Sequence, residues 1–168
     1  VLAAARDTFE SVVQADAGCG IAYWGVAMTH FGNPMASGST ADGQAAGWQA
    51  AQTAARIGGR SDHDRAYIDA AVALFQDHAT VDNRTRMQRY EAAMKRIVDR
   101  FPQDTEAQIF HAMFRVANAP PTDLTFEDVH VEVTRKPLLR LINKYYIINY
   151  IYIYLIIKYL LLIDKITV

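Results

Sequence analysis

Six amphipathic stretches follow one another through the first 118 residues, all but the fourth closed by a glycine or proline signal, and each separated from the next by a short link. Apolar residues recurring every three or four positions mark helices, and links this short leave each helix only its neighbours to pack against. The first stretch covers about residues 2–15, with Ala5, Phe9, Val12 and Val13 on one face; Gly18 is expected to end it in a left-handed conformation. The second covers about 19–31 and is stopped by Gly32-Asn33-Pro34, because proline has no N–H with which to continue. Residues 35–41 are small and polar and read as a loop. The third runs from about 42 to 57, with Asp42 as its expected N-cap and Gly58-Gly59 as its stop. The fourth runs from 62 to 78 with Ile68, Val72 and Phe75 as its stripe; Ser61 and Asp64 have capping-box spacing, with Asp in place of Glu or Gln.

The fifth stretch, about 83–101, has the clearest two-sidedness. Met87, Tyr90, Met94, Ile97, Val98 and Phe101 fall on one side, and Arg89, Arg96 and Arg100 on another, with Arg86 at the edge of that basic stripe. Pro102 ends it. The sixth, about 105–118, carries Ala107, Ile109, Ala112, Met113 and Val116, and Pro120-Pro121 closes it. The expected fold is all-α: antiparallel helical hairpins stacked side by side over residues 1–118, then a linker over 119–136 and an apolar tail over 137–168 that could form one more helix.

Two segments of this array resemble each other. Asp16 to Met28 and Pro102 to Met113 each follow an amphipathic helix, cross a short polar turn and enter a helix at an alanine. On these residues the chain resembles the tetratricopeptide repeat family, whose unit is two helices of about 34 residues together. Ala5, Phe9 and Val12 match the small, aromatic and small positions of a second helix, Val12 being bulkier than the usual alanine. Tyr23, Val26 and Ala27 match the aromatic, aliphatic and small positions of the next first helix, and Ala17 stands where the family often has proline. In the later copy Pro102 and Ala112 fit, while Gln108 and His111 replace the aromatic and aliphatic residues. The run Ala22-Tyr23-Trp24-Gly25-Val26-Ala27-Met28 is also similar to a stretch common in bacterial members of the family.

The resemblance implies a superhelical stack with a concave groove that binds a protein or peptide and has no catalytic site. It maps the groove onto Ile21, Trp24, Met28 and Phe31 in the earlier copy and Glu106, Ile109, Met113 and Val116 in the later one. The residues themselves leave a second reading open: aromatic and methionine stripes at helical spacing also serve as core. The basic stripe has the same two readings, a surface for an acidic partner or a solvated face balanced by Glu91 and Asp99.

Little else points to chemistry. No two histidines among His30, His63, His78, His111 and His130 stand four apart on one helix, so no metal site is expected. Asp62-His63-Asp64 sits at a helix start, where acids complement the dipole, and is not read as an acid–base site. There is no phosphate-binding glycine loop and no nucleophile elbow. No cofactor is expected. A formal net charge of −1, from 17 basic and 18 acidic residues, announces no nucleic-acid partner. The single cysteine, Cys19, excludes an internal disulfide and leaves the compartment open; it reads as a packing residue. The helical pattern begins at Val1-Leu2-Ala3, no secretory leader is legible, and the chain reads as a fragment or a processed product. The competing readings are an adaptor tethered to a membrane and an accessory domain of an enzyme whose catalytic part lies elsewhere.

The membrane reading rests on the tail alone. No alanine occurs after Ala119, and 22 of the 32 residues from Pro137 to Val168 are Ile, Leu or Tyr. Tyr145–Ile163 is interrupted only by Asn149 and Lys158, and Arg135, Lys136, Arg140 and Lys144 precede it, which would keep the N-terminal part cytoplasmic if the segment inserted. Against a helix, Tyr150-Ile151-Tyr152-Ile153-Tyr154 alternates as strands do. The abrupt change, from residues with GC-rich codons to residues with AT-rich ones, suggests a junction near Phe126–Glu127 from a frameshift, misassembly or recombination. The nucleotide sequence across those codons should show a step in base composition; uniform composition and codon usage on both sides would remove the junction.

Overall fold

Side-chain oxygens set where four of the helices start. Thr40 Oγ1 accepts the Gly43 N–H at 3.1 Å, Ser61 Oγ accepts that of Asp64 at 3.0 Å, Asp82 Oδ1 that of Thr85 at 2.9 Å, and Asp104 Oδ1 that of Ala107 at 3.0 Å. The computed structural model of the chain describes residues 2–34 and 39–119. These form six helices and, among the described residues, no strand: α1 (Leu2–Ala15), α2 (Gly20–Phe31), α3 (Ala41–Ile57), α4 (Asp62–Phe75), α5 (Asn83–Arg100) and α6 (Thr105–Asn118). The all-α fold expected from the pattern is present. The expected junction, most of the linker and the apolar tail with its 145–163 span lie outside the described residues.

Several local expectations are corrected. Thr40, not Asp42, caps α3, and Asp42 sits in its first turn. Asp64 does not return a bond to the Ser61 N–H; its carboxylate accepts from the Arg60 N–H at 3.1 Å instead. Helix α4 ends at Phe75 because Gln76 turns to an extended ψ of 140° and Asp77 follows at a φ of 61°. The left-handed glycines are Gly32 and Gly58, not Gly18. Gly18 needs no such conformation because the Asp16 carboxylate takes its N–H at 3.0 Å, closing the turn with a side chain.

Contacts between helix ends give the directions. Arg6 near the start of α1 donates to Thr29 near the end of α2. Gly43 at the start of α3 lies against the His30 carbonyl, and Gly20 at the start of α2 against Gly58 beyond the end of α3. Arg100 at the end of α5 pairs with Asp62 at the start of α4, and Arg84 at its start donates to the Asn118 carbonyl at the end of α6. Neighbours are therefore antiparallel, and α2, α4 and α6 run the same way. Each helix packs on the next, and α2 also packs on α4.

The core follows from that alternation. Trp24 of α2 meets Tyr67 of α4 and Phe110 of α6 edge-on, with ring centroids 5.3 and 6.1 Å away. One end further along, Phe31 meets Phe75 at 6.0 Å and Phe114 at 5.6 Å, and Tyr90 of α5 stacks on Phe114 at 4.3 Å. Small residues make room for these rings. A Cβ on Gly47 of α3 would overlap the Phe75 ring, and one on Gly25 would overlap Phe9.

An arginine lies inside. Arg86, expected at the edge of the basic stripe, is 1% exposed. Its guanidinium donates to the carbonyls of Val81 and Leu74, both at 3.1 Å, and to Gln44 Oε1 at 2.8 Å and Asn83 Oδ1 at 3.2 Å. It thereby satisfies a carbonyl at the end of α4 and ties α3 to the start of α5. Burial draws its pKa below the usual arginine value, the nearby Asp82 charge opposing the shift. Arg86→Ala leaves those acceptors unpaired and a cavity behind, so it should cost about 2–4 kcal/mol. Arg89→Ala, on the same helix but half-exposed, should change stability by less than about 1 kcal/mol. Urea unfolding with an unchanged m-value would check both.

Candidate functional site

The residues mapped as a groove come together in part. A cleft opens between α1, α2 and α6, walled by Ala5 and Phe9 on one side and Phe110, Met113 and Phe114 on the other, with Trp24, Met28 and Phe31 contributed by α2. Trp24, Met28, Phe31 and Met113 thus share one apolar lining, and all four are buried. Ile21 and Ile109 are half-buried and lie off that lining; Ile21 packs against the core. Glu106 and Val116 are also half-buried. The free space inside is about 20 Å³, room for roughly one water and not for a peptide. The walls are filled because Phe110 and Phe114 of α6 reach across to the rings of Trp24 and Phe31.

One atom in this region is unbalanced. The Trp24 indole Nε1 is buried and has no hydrogen-bond partner among the described residues. An orphaned N–H of this kind costs about 1–3 kcal/mol relative to a paired one. Nothing in the pattern of the sequence foretold it; the neighbours that surround the indole come from α4 and α6, about 43 and 86 positions away in the chain.

A second polar cluster joins α4 to α6. Asp104, whose side chain is 5% exposed, caps α6 through one oxygen. Its other oxygen accepts the Tyr67 hydroxyl at 2.8 Å and lies 2.6 Å from His63 Nε2. The His63 ring rests between Tyr67 and Phe101, with centroids 5.1 and 5.0 Å away. Burial by itself would raise the Asp104 pKa, but the Ala107 N–H, the Tyr67 hydroxyl and His63 together hold the carboxyl below its ordinary value. Tyr67 is pushed far up, first by burial and then by the Asp104 charge. The sequence showed His63 as part of a helix start; its partner, 41 residues on, was visible only as an acid before a helix. One Asp104 oxygen thus starts α6, and the other fastens it to His63 and Tyr67 of α4.

The basic stripe divides. Arg86 is inside the protein, Arg89 pairs with Asp77 at 3.2 Å, and Arg100 pairs with Asp62 and lies over the Phe101 ring at 5.1 Å. Arg96 is exposed. Among the described residues no three His, Cys, Asp or Glu side chains gather to hold a metal ion, and no helix is long and apolar enough to cross a membrane. Cys19 is a free, buried thiol, and His111 is buried too.

Fold and site together define an all-α array of six alternating helices with an aromatic seam and one narrow apolar cleft. No family model matches the chain, and no curated protein or solved structure matches it.

The Asp104 cluster makes a pH prediction. Its carboxyl titrates below 3.8 in the folded protein, so its contribution is whole above that pH and is lost as pH falls through the lower folded value. Asp104→Ala should cost about 1–2 kcal/mol at neutral pH. The difference from the parent chain should shrink below about pH 4. Thermal unfolding followed by circular dichroism from pH 7 to pH 2.5 measures it.

Proposed function

We propose that this chain is a stack of helical hairpins of the tetratricopeptide type, closed more tightly than an open solenoid by the contact of α2 with α6, that serves as a non-enzymatic scaffold, taking apolar side chains of a partner helix or peptide into the cleft between α1, α2 and α6. The observation that carries the reading is the buried Trp24 Nε1 without an acceptor beside an almost wholly apolar cleft. A partner that inserts an apolar side chain there and offers a carbonyl to the indole recovers the missing hydrogen bond at the moment of binding. Two further features support it. The alternation of directions, with α2, α4 and α6 parallel, is what hairpins laid in sequence order produce. And α1 packs chiefly on α2, so one wall of the cleft belongs to the least anchored helix and opens at lower cost than the core.

The partner's anchors are single side chains, since the space is too small for a whole helix. Half-buried Ile109 of α6 belongs to the edge an approaching helix would cover. Titration of the isotope-labelled chain with a panel of amphipathic helical peptides tests the reading. A binding peptide should shift the Trp24 indole N–H signal downfield and move the Met28 and Met113 methyl signals. Ile109→Asp should weaken that peptide about tenfold with helix content unchanged. Peptides that bind while leaving the Trp24 signal in place would defeat the proposal.

A further inference from the structure

The chain as a whole has a net charge of −1, yet α5 carries six basic side chains, Arg84, Arg86, Arg89, Lys95, Arg96 and Arg100, against the two acids Glu91 and Asp99. Four of the six are committed elsewhere. Arg86 is inside the protein, Arg84 donates to the Asn118 carbonyl, Lys95 holds Asp99 at 2.8 Å, and Arg100 pairs with Asp62. The other two, Arg89 and Arg96, line an open hollow of about 380 Å³ where the end of α4 meets α5. Ala73, Gln76, Asp77 and Ala92 complete its lining, and it shares no residue with the apolar cleft. Ala92 falls between the two arginines on the same helix face, so the ground between them is low and unobstructed.

The charges in this hollow are incompletely matched. Arg96 makes no ion pair among the described residues. Arg89 has Asp77 at 3.2 Å, but both side chains are about 40% exposed, and a pair bathed in water to that degree exchanges readily for another carboxylate. Asp77 reaches Arg89 from a left-handed backbone, φ 61°, which aspartate tolerates better than most residues.

We propose that this hollow docks an acidic peptide segment of a partner protein, one carboxylate displacing Asp77 from Arg89 and a second reaching Arg96. The geometry sets the spacing. Seven residues of helix separate the two arginine Cα atoms by about 10 Å, which matches two acids three residues apart on a peptide in the polyproline II conformation, whose period of three puts both side chains on one side. Guanidinium forks bind carboxylates bidentately, so two such contacts fix register as well as position. This surface stands independently of the cleft, and its test does not involve Trp24.

The test uses the full chain and a fluorescein-labelled, flexible Gly/Ser peptide with two glutamates three residues apart, followed by anisotropy at low salt. The glutamate peptide should bind about tenfold tighter than its glutamine analogue, as expected for charge-assisted bonds. The double variant Arg89→Ala with Arg96→Ala should lose about that same factor, with helix content unchanged by circular dichroism. Asp77→Asn, which removes the competing carboxylate and keeps a residue suited to the left-handed backbone, should tighten binding about threefold. Asp42→Asn removes the same charge from the exposed start of α3 and should leave the affinity as it is. Equal binding of the two peptides, retained binding by the double variant, or an Asp77→Asn effect no larger than that of Asp42→Asn would each overturn the proposal.

Discussion

Everything in this molecule leans on α2. Its sequence, Gly20-Ile21-Ala22-Tyr23-Trp24-Gly25-Val26-Ala27-Met28-Thr29-His30-Phe31, is apolar nearly all the way round, and no residue of it is exposed. Such a helix can exist in water only if others surround it. Helices α1, α3 and α4 pack on it directly, and α6 reaches it through the rings of Phe110 and Phe114. Phe31 is the joint of this arrangement: one buried side chain touching Phe75 and Phe114, and so linking three helices that share a direction. The glycines and alanines at these crossings are what let rings of that size fit between backbones.

The same helix shows what the sequence could and could not disclose. Six helices and most of their limits were readable, because period and punctuation are local and the caps act within four residues. The limits that moved did so for local reasons as well: a threonine two positions upstream outcompeted Asp42, and the chain left the helical region early, at Gln76 and Asp77. The site was less readable. Trp24, Met28 and Phe31 stood in one stripe and Met113 in another, and a stripe does not say which neighbour it meets. The absence of any charged residue on either side of α2 was the available signal that its stripe belongs to the interior. His63 and Asp104, or Arg86 and the Leu74 carbonyl, could not be paired in advance, since nothing local links residues 41 or 12 positions apart in that way.

Polar interactions here fasten helix ends and the apolar seam fastens helix middles. Asp104 holds the entry of α6 to α4, and Arg86 gathers the exit of α4, the loop to Val81 and Gln44 of α3. Hairpins sliding along one another would keep much of their greasy contact but break these bonds. Register therefore belongs to the buried polar groups, and cohesion to the rings.

The meeting of Phe31 with Phe114 joins positions 83 apart in the chain. In an extended solenoid each unit touches only the next, so such molecules melt piecemeal from their tips. A chain whose second helix grips its sixth has shut that route: fraying one end removes the lining of the other. From α2 onward, loss of order in this protein is accordingly a collective event, and its assembly must wait for partners that arrive late in the chain.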